Sequence, residues 1–167
     1  MSHLPVNHPL RPVYRVVSVL VAGWLLVFGA VSLGSTQGQP WFGQGDWSAL
    51  GLTTNRAHAV FSLLVGALVL LAALVGRNFD RTVNLWVGVG LLAVGTAFLG
   101  LSHTEANLLN FTVPNTAVVY LLGMVLLAAG LYGRVDLTAE GAARKSEAAT
   151  EPAPTATRAR EKASTAA

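Results

Sequence analysis

The sequence predicts an all-α membrane protein, a bundle of four transmembrane helices. Three observations predict this fold class: 53% of the 167 residues are hydrophobic, only 11% are charged, and the apolar residues form four long runs. Because a soluble domain carries about 25% charged residues, four such runs in one short chain would lack a polar coat. The length fits a single domain.

The four apolar runs lie at about 13–33, 57–75, 83–101 and 115–132. A helix needs roughly 17–25 residues to cross the hydrocarbon core, so each run reaches or approaches that length. No run has a charged residue in its central part. The first run exceeds the 7–15 apolar residues of a signal peptide core, so we expect it to remain as a helix.

Helix-boundary signals accompany these runs. Gly76 follows the second run and is typical of a helix C-terminus. Asp80 or Thr82 is the predicted N-terminal cap of the third helix. Pro114 stands at the start of the fourth, where a missing N–H has no intrahelical partner to lose.

The basic residues predict the orientation. They lie at the start of the first run, between the second and third, and after the fourth: Arg11, Arg15, Arg77, Arg81 and Arg134. The positive-inside rule therefore places both termini and the second loop in the cytoplasm, with the first and third loops outside. We expect the protein to lie in the bacterial inner membrane, with the lipid bilayer as its first partner.

Three regions follow from this topology. Residues 1–12 are a cytoplasmic arm and residues 13–134 are the four-helix transmembrane domain. Residues 135–167 are rich in Ala, Thr and charged residues and have few large apolar ones, which predicts a disordered cytoplasmic tail. The basic residues of the tail alternate with acidic ones, so no nucleic-acid-binding module is expected.

The sequence contains an internal repeat. Residues 63–77 (LLVGALVLLAALVGR) and 120–134 (YLLGMVLLAAGLYGR) are identical at seven of fifteen positions without gaps. Residues 15–34 and 81–100 share eight of twenty. This predicts a helical hairpin duplicated in tandem, the copies being related by an axis along the membrane normal.

Small residues predict how the helices pack. Glycines at matched positions of the two copies are expected at helix contacts: Gly29, Gly66, Gly95 and Gly123. Small-xxx-small pairs, which let helix backbones approach closely in lipid, are Ala30/Gly34, Ser62/Gly66, Ala72/Gly76, Thr96/Gly100 and Ala129/Gly133.

A polar cluster is predicted at the outer face, around the stretch LSHTEANLLNFTVPN. Its members are Asn55, Arg56, His58, His103 and Asn115. Our interpretation is that these residues cap helix ends and face water. The alternative makes His58, His103 and Glu105 a metal, haem or acid–base site, since imidazole and carboxylate bind zinc and iron. Their spacing matches no ligand signature, so no cofactor is predicted.

Aromatic residues mark the first loop. Trp41, Phe42 and Trp47 lie there with glycines between them, and the segment WSALGL is predicted as a short turn lying flat at the headgroups. Aromatic residues at this depth are typical membrane anchors. The alternative is a binding lip for a lipid or a quinone.

The chain resembles a family of small bacterial four-helix membrane proteins catalogued as a domain of unknown function. The resemblance rests on HPLRPVYR before the first run, TTNRAHAVFSLLVG at the second, and LLGMVLLAAGLYGR at the end of the fourth. It covers about residues 5–135. It implies a four-helix membrane fold, but no activity and no site residue.

The predicted function is that of a non-enzymatic structural or accessory membrane subunit, with a membrane-protein partner or a second copy as its associate. Coupled transporters need ionisable residues inside the membrane, and the central part of each span has none. There are no cysteines, so thiol chemistry is excluded. The alternatives are a quinone- or haem-associated oxidoreductase component and a small-molecule channel or carrier.

Overall fold

The computed structural model describes residues 10–134, which form four helices and a two-stranded hairpin. The elements in chain order are α1 (Arg11–Ser35), β1 (Ser48–Ala49), β2 (Leu52–Thr53), α2 (Arg56–Val75), α3 (Arg77–Leu101) and α4 (Val113–Tyr132). All four helices are long and apolar enough to cross a membrane, which confirms the predicted fold class. The predicted tail and residues 1–9 of the predicted arm lie outside the described residues.

The junction between α2 and α3 differs from the prediction. Helix α3 begins at Arg77, about six residues before the predicted start, and Gly76 alone separates it from α2. Gly76 has φ 68°, a left-handed conformation that glycine adopts without steric cost, and its N–H donates to the carbonyl of Ala72 at 2.9 Å. The cap predicted at Asp80 or Thr82 is wrong, because both residues lie inside α3. The apolar run predicts the membrane-spanning part of α3, whereas the helix itself begins earlier, among the polar residues before that run.

The helix bounds repeat with the register that the sequence alignment predicts. A shift of 66 residues carries Arg11–Ser35 onto Arg77–Leu101, and a shift of 57 residues carries Arg56–Val75 onto Val113–Tyr132. Helix α1 packs mainly on α2, and α3 mainly on α4, with smaller contacts between α2 and α3 and between α1 and α4. The four helices thus form a ring of two equivalent hairpins.

Equivalent glycines make equivalent contacts in the two hairpins. A Cβ added to Gly66 would lie 3.1 Å from the carbonyl oxygen of Ala22, and one added to Gly123 would lie 3.1 Å from that of Gly88. Positions 22 and 88 are themselves related by the 66-residue shift. The two hairpins therefore have the same internal packing, as a pseudo-twofold axis along the bundle requires.

A hydrogen bond crosses this axis. Nδ2 of Asn84 on α3 donates to Oγ of Ser18 on α1 at 2.8 Å, and both side chains are buried. Ser18 and Asn84 occupy equivalent positions in the repeat, so the bond joins the two hairpins near the axis. It lies at the end of the bundle that carries Arg11 and Gly76, which we call the terminal end. The opposite end, with residues 36–55 and 102–112, we call the loop end.

The apolar core fills the space between the two ends. Its buried residues include Val21, Ala22, Leu25, Val69, Leu91 and Leu126. At the terminal end, Nε of Arg15 donates to the carbonyl of Ala73 at 2.7 Å and Nη2 to that of Leu74 at 3.2 Å. These carbonyls belong to the last turn of α2, where intrahelical donors run out, so Arg15 stabilises that helix end.

The predicted packing pairs divide into two groups. Ser62/Gly66, Ala72/Gly76 and Ala129/Gly133 are buried. Ala30/Gly34 on α1 and Thr96/Gly100 on α3 are exposed, at equivalent positions near the loop end. A Cβ added to Gly34 or Gly100 would meet nothing within 4 Å, so these two glycines do not serve packing within the bundle. The Thr96 hydroxyl, by contrast, is hydrogen-bonded to the hydroxyl of Tyr120 on α4 at 2.9 Å.

Candidate functional site

The loop end is closed by a cap, which we define as residues 36–55 and 102–112. Its two segments are joined largely by asparagine side chains. Asn55, at the N-terminus of α2, donates through Nδ2 to the carbonyls of Gly43 (3.1 Å) and Leu108 (2.9 Å). Its Oδ1 accepts the backbone N–H of His58 at 2.9 Å. One amide thus caps a helix and binds both segments.

Asn110 adds a further cross-link between the segments, and Asn115 joins the first segment to α4. Nδ2 of Asn110 donates to the carbonyls of Gly45 (2.8 Å) and Thr54 (3.0 Å). Nδ2 of Asn115 donates to the carbonyl of Thr53 at 2.8 Å, and its Oδ1 accepts the Thr53 hydroxyl at 2.8 Å. An amide side chain has two donors and an acceptor, so it can replace the partners that irregular backbone lacks.

Asn107 organises the second segment by itself. Its Oδ1 accepts the backbone N–H of Phe111 at 2.7 Å, and its Nδ2 donates to the carbonyls of Phe111 (2.8 Å) and Ser102 (3.1 Å). The four asparagines of the cap and of the first turn of α4 are each at most 7% exposed. The expectation that this polar stretch faces water is therefore wrong for its asparagines, which are internal cross-links.

The WSALGL segment forms a β-hairpin rather than the predicted turn at the headgroups. Ser48 pairs with Thr53 and Ala49 with Leu52, antiparallel. The buried Ala49 and Leu52 pack on Phe28 of α1, so the hairpin covers the end of the bundle. Trp41, by contrast, is half exposed, and the guanidinium of Arg56 lies 4.7 Å from its ring centre, a cation–π contact.

His58 lies beneath the cap, inside a row of aromatic rings. Its ring centre is 5.1 Å from that of Phe28 and 4.7 Å from that of Phe111. Trp24 stacks on Phe28 at 5.3 Å, and Phe98 lies 5.1 Å from Phe111. His58 is 4% exposed, and its Nδ1 is buried without a hydrogen-bond partner.

A small cavity adjoins His58. Its volume is about 20 Å³, which is room for a water molecule. Four pairs of lining residues are related by the repeat: Leu25/Leu91, His58/Asn115, Phe61/Val118 and Ser62/Val119. The cavity therefore lies on the pseudo-twofold axis, with one half polar and aromatic and the other half mostly aliphatic.

The candidate metal or haem residues have contrasting environments. His103 and Glu105 are exposed in the third loop, whereas His58 is buried among aromatic rings. Among residues 10–134, no group of three or more His, Cys, Asp or Glu side chains could hold a metal ion. The described part of the chain therefore does not bring together the ligands of the metal centre that the sequence analysis gave as an alternative.

Sequence reasoning did not single out Phe28 and Phe111 as neighbours of His58, nor Thr53 as the partner of Asn115. These residues come from distant parts of the chain, and no local pattern relates them. No family model, curated protein or solved structure matches the chain. Its function is therefore inferred from its own residues.

Proposed function

We propose that the protein is a non-enzymatic accessory subunit of the membrane, which associates with another membrane protein through exposed small-residue faces on α1 and α3. The observation behind this proposal is the exposure of Ala30/Gly34 and Thr96/Gly100. A Cβ added to Gly34 or Gly100 would meet nothing within 4 Å. The two glycines are thus open to a neighbouring helix.

The physics of helix association in lipid supports this reading. Lipid tails are as apolar as leucine, so helices associate through close backbone approach, which small residues allow. Inside the bundle, buried glycines such as Gly66 and Gly123 already serve this purpose. Gly34 and Gly100 are additional to that packing, and the pseudo-twofold axis places them on two equivalent faces.

The distribution of buried polar groups argues against a channel or carrier. Ser18 and Asn84 lie toward the terminal end, and His58, Ser62 and the cap asparagines lie toward the loop end. Between them the core is filled by residues such as Leu25, Leu91 and Leu126. A permeating polar solute would need hydrogen-bond partners along its path, and these apolar side chains supply none.

The setting of this subunit is part of the proposal. The bacterial inner membrane, with both termini cytoplasmic and the cap outside, follows from the arginines at the terminal end. Reporter fusions at Gly43 and Asn107 are expected to read outside, and one at Asn78 inside. The opposite pattern would reverse the orientation. Membership of the small four-helix family that the sequence resembles belongs to the same proposal and brings no activity with it.

Affinity capture tests the docking faces. Gly34→Leu and Gly100→Leu are combined in the full-length protein, which is then cross-linked in native membranes, captured and analysed by mass spectrometry. We expect the double variant to lose a partner, or a second copy, that the wild type captures. The matched control is Ala117→Leu, at an exposed position of α4, which should capture normally.

Thermal unfolding in detergent shows whether both variants fold. Because a larger side chain at Gly34 or Gly100 meets open space, the folded bundle should tolerate it. Identical captured proteins from the wild type and a folded double variant would refute the docking proposal.

A further inference from the structure

We propose that the cavity beside His58 is a binding site for one small neutral molecule that carries a hydroxyl group. This goes beyond the accessory role and does not depend on the docking faces. The inference starts from Nδ1 of His58, which is buried without a partner while the ring lines a cavity. A buried polar atom without a hydrogen bond is costly, and an occupant of the cavity removes that cost.

The repeat shows that this polarity is specific to one half of the protein. Asn115, the equivalent of His58, uses its side-chain amide in hydrogen bonds with Thr53 of the cap. Val119 stands where the first hairpin has Ser62. The two halves of one cavity have thus diverged, and the unpartnered nitrogen lies on one side only. A ligand held there has a defined orientation.

The chemistry of the lining selects the class of ligand. Most lining side chains are apolar, and Trp24, Phe61 and Val118 are examples, so a charged molecule would be desolvated without compensation. A hydroxyl can donate to a bare ring nitrogen or accept from a protonated one, so it suits either tautomer of a neutral imidazole. The small volume restricts the occupant to water or a short alcohol.

Water and an organic alcohol share this chemistry, and the experiment separates them. Full-length protein with ¹⁵N-labelled histidine is studied by NMR in detergent micelles, and the His58 signals are identified by their loss in His58→Phe. We expect cross-peaks from the His58 ring to a bound water. We expect ethanol to shift the Nδ1 resonance saturably and to remove the water cross-peak.

His58→Phe keeps an aromatic ring between its neighbours and removes the nitrogen, so ethanol should leave the fluorescence of this variant unchanged. The wild type should show a saturable change, since Trp24 lines the cavity. Ser62→Val tests the site with His58 in place, because it introduces the residue of the other hairpin and fills part of the cavity. It should abolish both the ethanol-induced shift of the Nδ1 resonance and the ethanol-induced change in fluorescence. His103→Phe, at an exposed histidine, should behave as the wild type.

Each outcome decides the proposal. A His58 ring without a water cross-peak and without an ethanol response means a dry cavity and overturns the inference. A water cross-peak that ethanol does not displace assigns the site to water and overturns uptake of an organic hydroxyl. An ethanol response that persists in Ser62→Val places the alcohol elsewhere and also overturns it. If the docking variants fail to change capture while these signals are observed, only the accessory role is lost.

Discussion

Glycine-to-alanine substitutions within α3 should change stability in opposite directions, according to the room for the new methyl group. In Gly88→Ala the methyl carbon would lie 2.6 Å from the backbone nitrogen of Leu127 and 2.9 Å from its Cα. Backbone atoms cannot rotate away, so α3 and α4 must separate. In Gly95→Ala the nearest atoms, on Tyr120 and Val119, are 3.5 Å away, which is ordinary contact.

The magnitudes follow from two opposing effects. Forcing an extra methyl group into a packed interface costs about 1–3 kcal/mol. Alanine is more favourable than glycine in a helix by roughly 0.5–1 kcal/mol. Gly88→Ala should therefore lower the free energy of unfolding, by up to about 2.5 kcal/mol, because the overlap outweighs the helix gain. Gly95→Ala should raise it by roughly 0.5–1 kcal/mol, because the helix gain acts alone.

Reversible unfolding in mixed micelles of mild detergent and dodecyl sulfate, followed by circular dichroism, measures both values. Gly90→Ala is the matched control in the same helix, since a Cβ there meets nothing within 4 Å. It should resemble Gly95→Ala. A Gly88→Ala protein as stable as Gly95→Ala would refute the reasoning, because it would mean that the α3–α4 contact has slack.

Three further predictions use the same assay. Leu50→Asn should stabilise the protein by about 1 kcal/mol, because Leu50 has φ 51° beside Gly51 at φ 80° and an Asn-Gly pair suits such a turn; an unchanged value would deny strain at Leu50. Asn107→Ala should cost about 1–3 kcal/mol, because it leaves buried backbone groups of the cap unpaired; a neutral result would contradict the cross-linking role. His103→Ala and Glu105→Ala, at exposed positions, should each change the free energy of unfolding by less than about 0.5 kcal/mol, and a larger loss would indicate a structural site there.

The sequence predicts the helices and their repeat well, because lipid imposes length and composition on a span. The residue shifts that align the apolar runs also carry the observed helix bounds onto each other. The packing glycines were harder to identify, because aligning the two copies of the repeat favours positions at which both copies have glycine. Gly88 and Gly130 make the tightest contacts with the backbone of a neighbouring helix, yet their equivalents in the first hairpin are Ala22 and Ala73, so the alignment did not identify them.

The cap was beyond sequence reasoning for a different reason. Asparagine between two apolar runs predicts a polar loop, but burial depends on whether carbonyls of another segment come within reach. Asn110 donates to Gly45 and Thr54, which lie 65 and 56 residues earlier in the chain. A periodic pattern of apolar and polar residues carries no information about contacts between residues so far apart in the sequence. The same limit applies to His58, whose aromatic neighbours come from α1 and from the third loop.

Beside the shared apolar core, polar groups rather than close glycine contacts join the two hairpins to each other. The closest contacts of a glycine with a neighbouring helix, at Gly29, Gly88 and Gly130, all lie within one hairpin or the other. Since lipid supplies no hydrophobic force between helices, the hairpins need specific attractions to stay together. The Asn84–Ser18 bond provides one at the terminal end, and the amides of the cap provide several at the loop end.

This division explains why so apolar a chain concentrates asparagine in one stretch. Irregular backbone at the edge of the hydrocarbon must find its partners inside the protein, because water there is scarce. The asparagine amides supply those partners in two segments at once. The same hydrogen bonds therefore satisfy the backbone groups and join the two hairpins. A protein that lost the cap bonds would keep its helices and their internal glycine contacts, and the hairpins would loosen at the loop end while the Asn84–Ser18 bond still joined them at the terminal end.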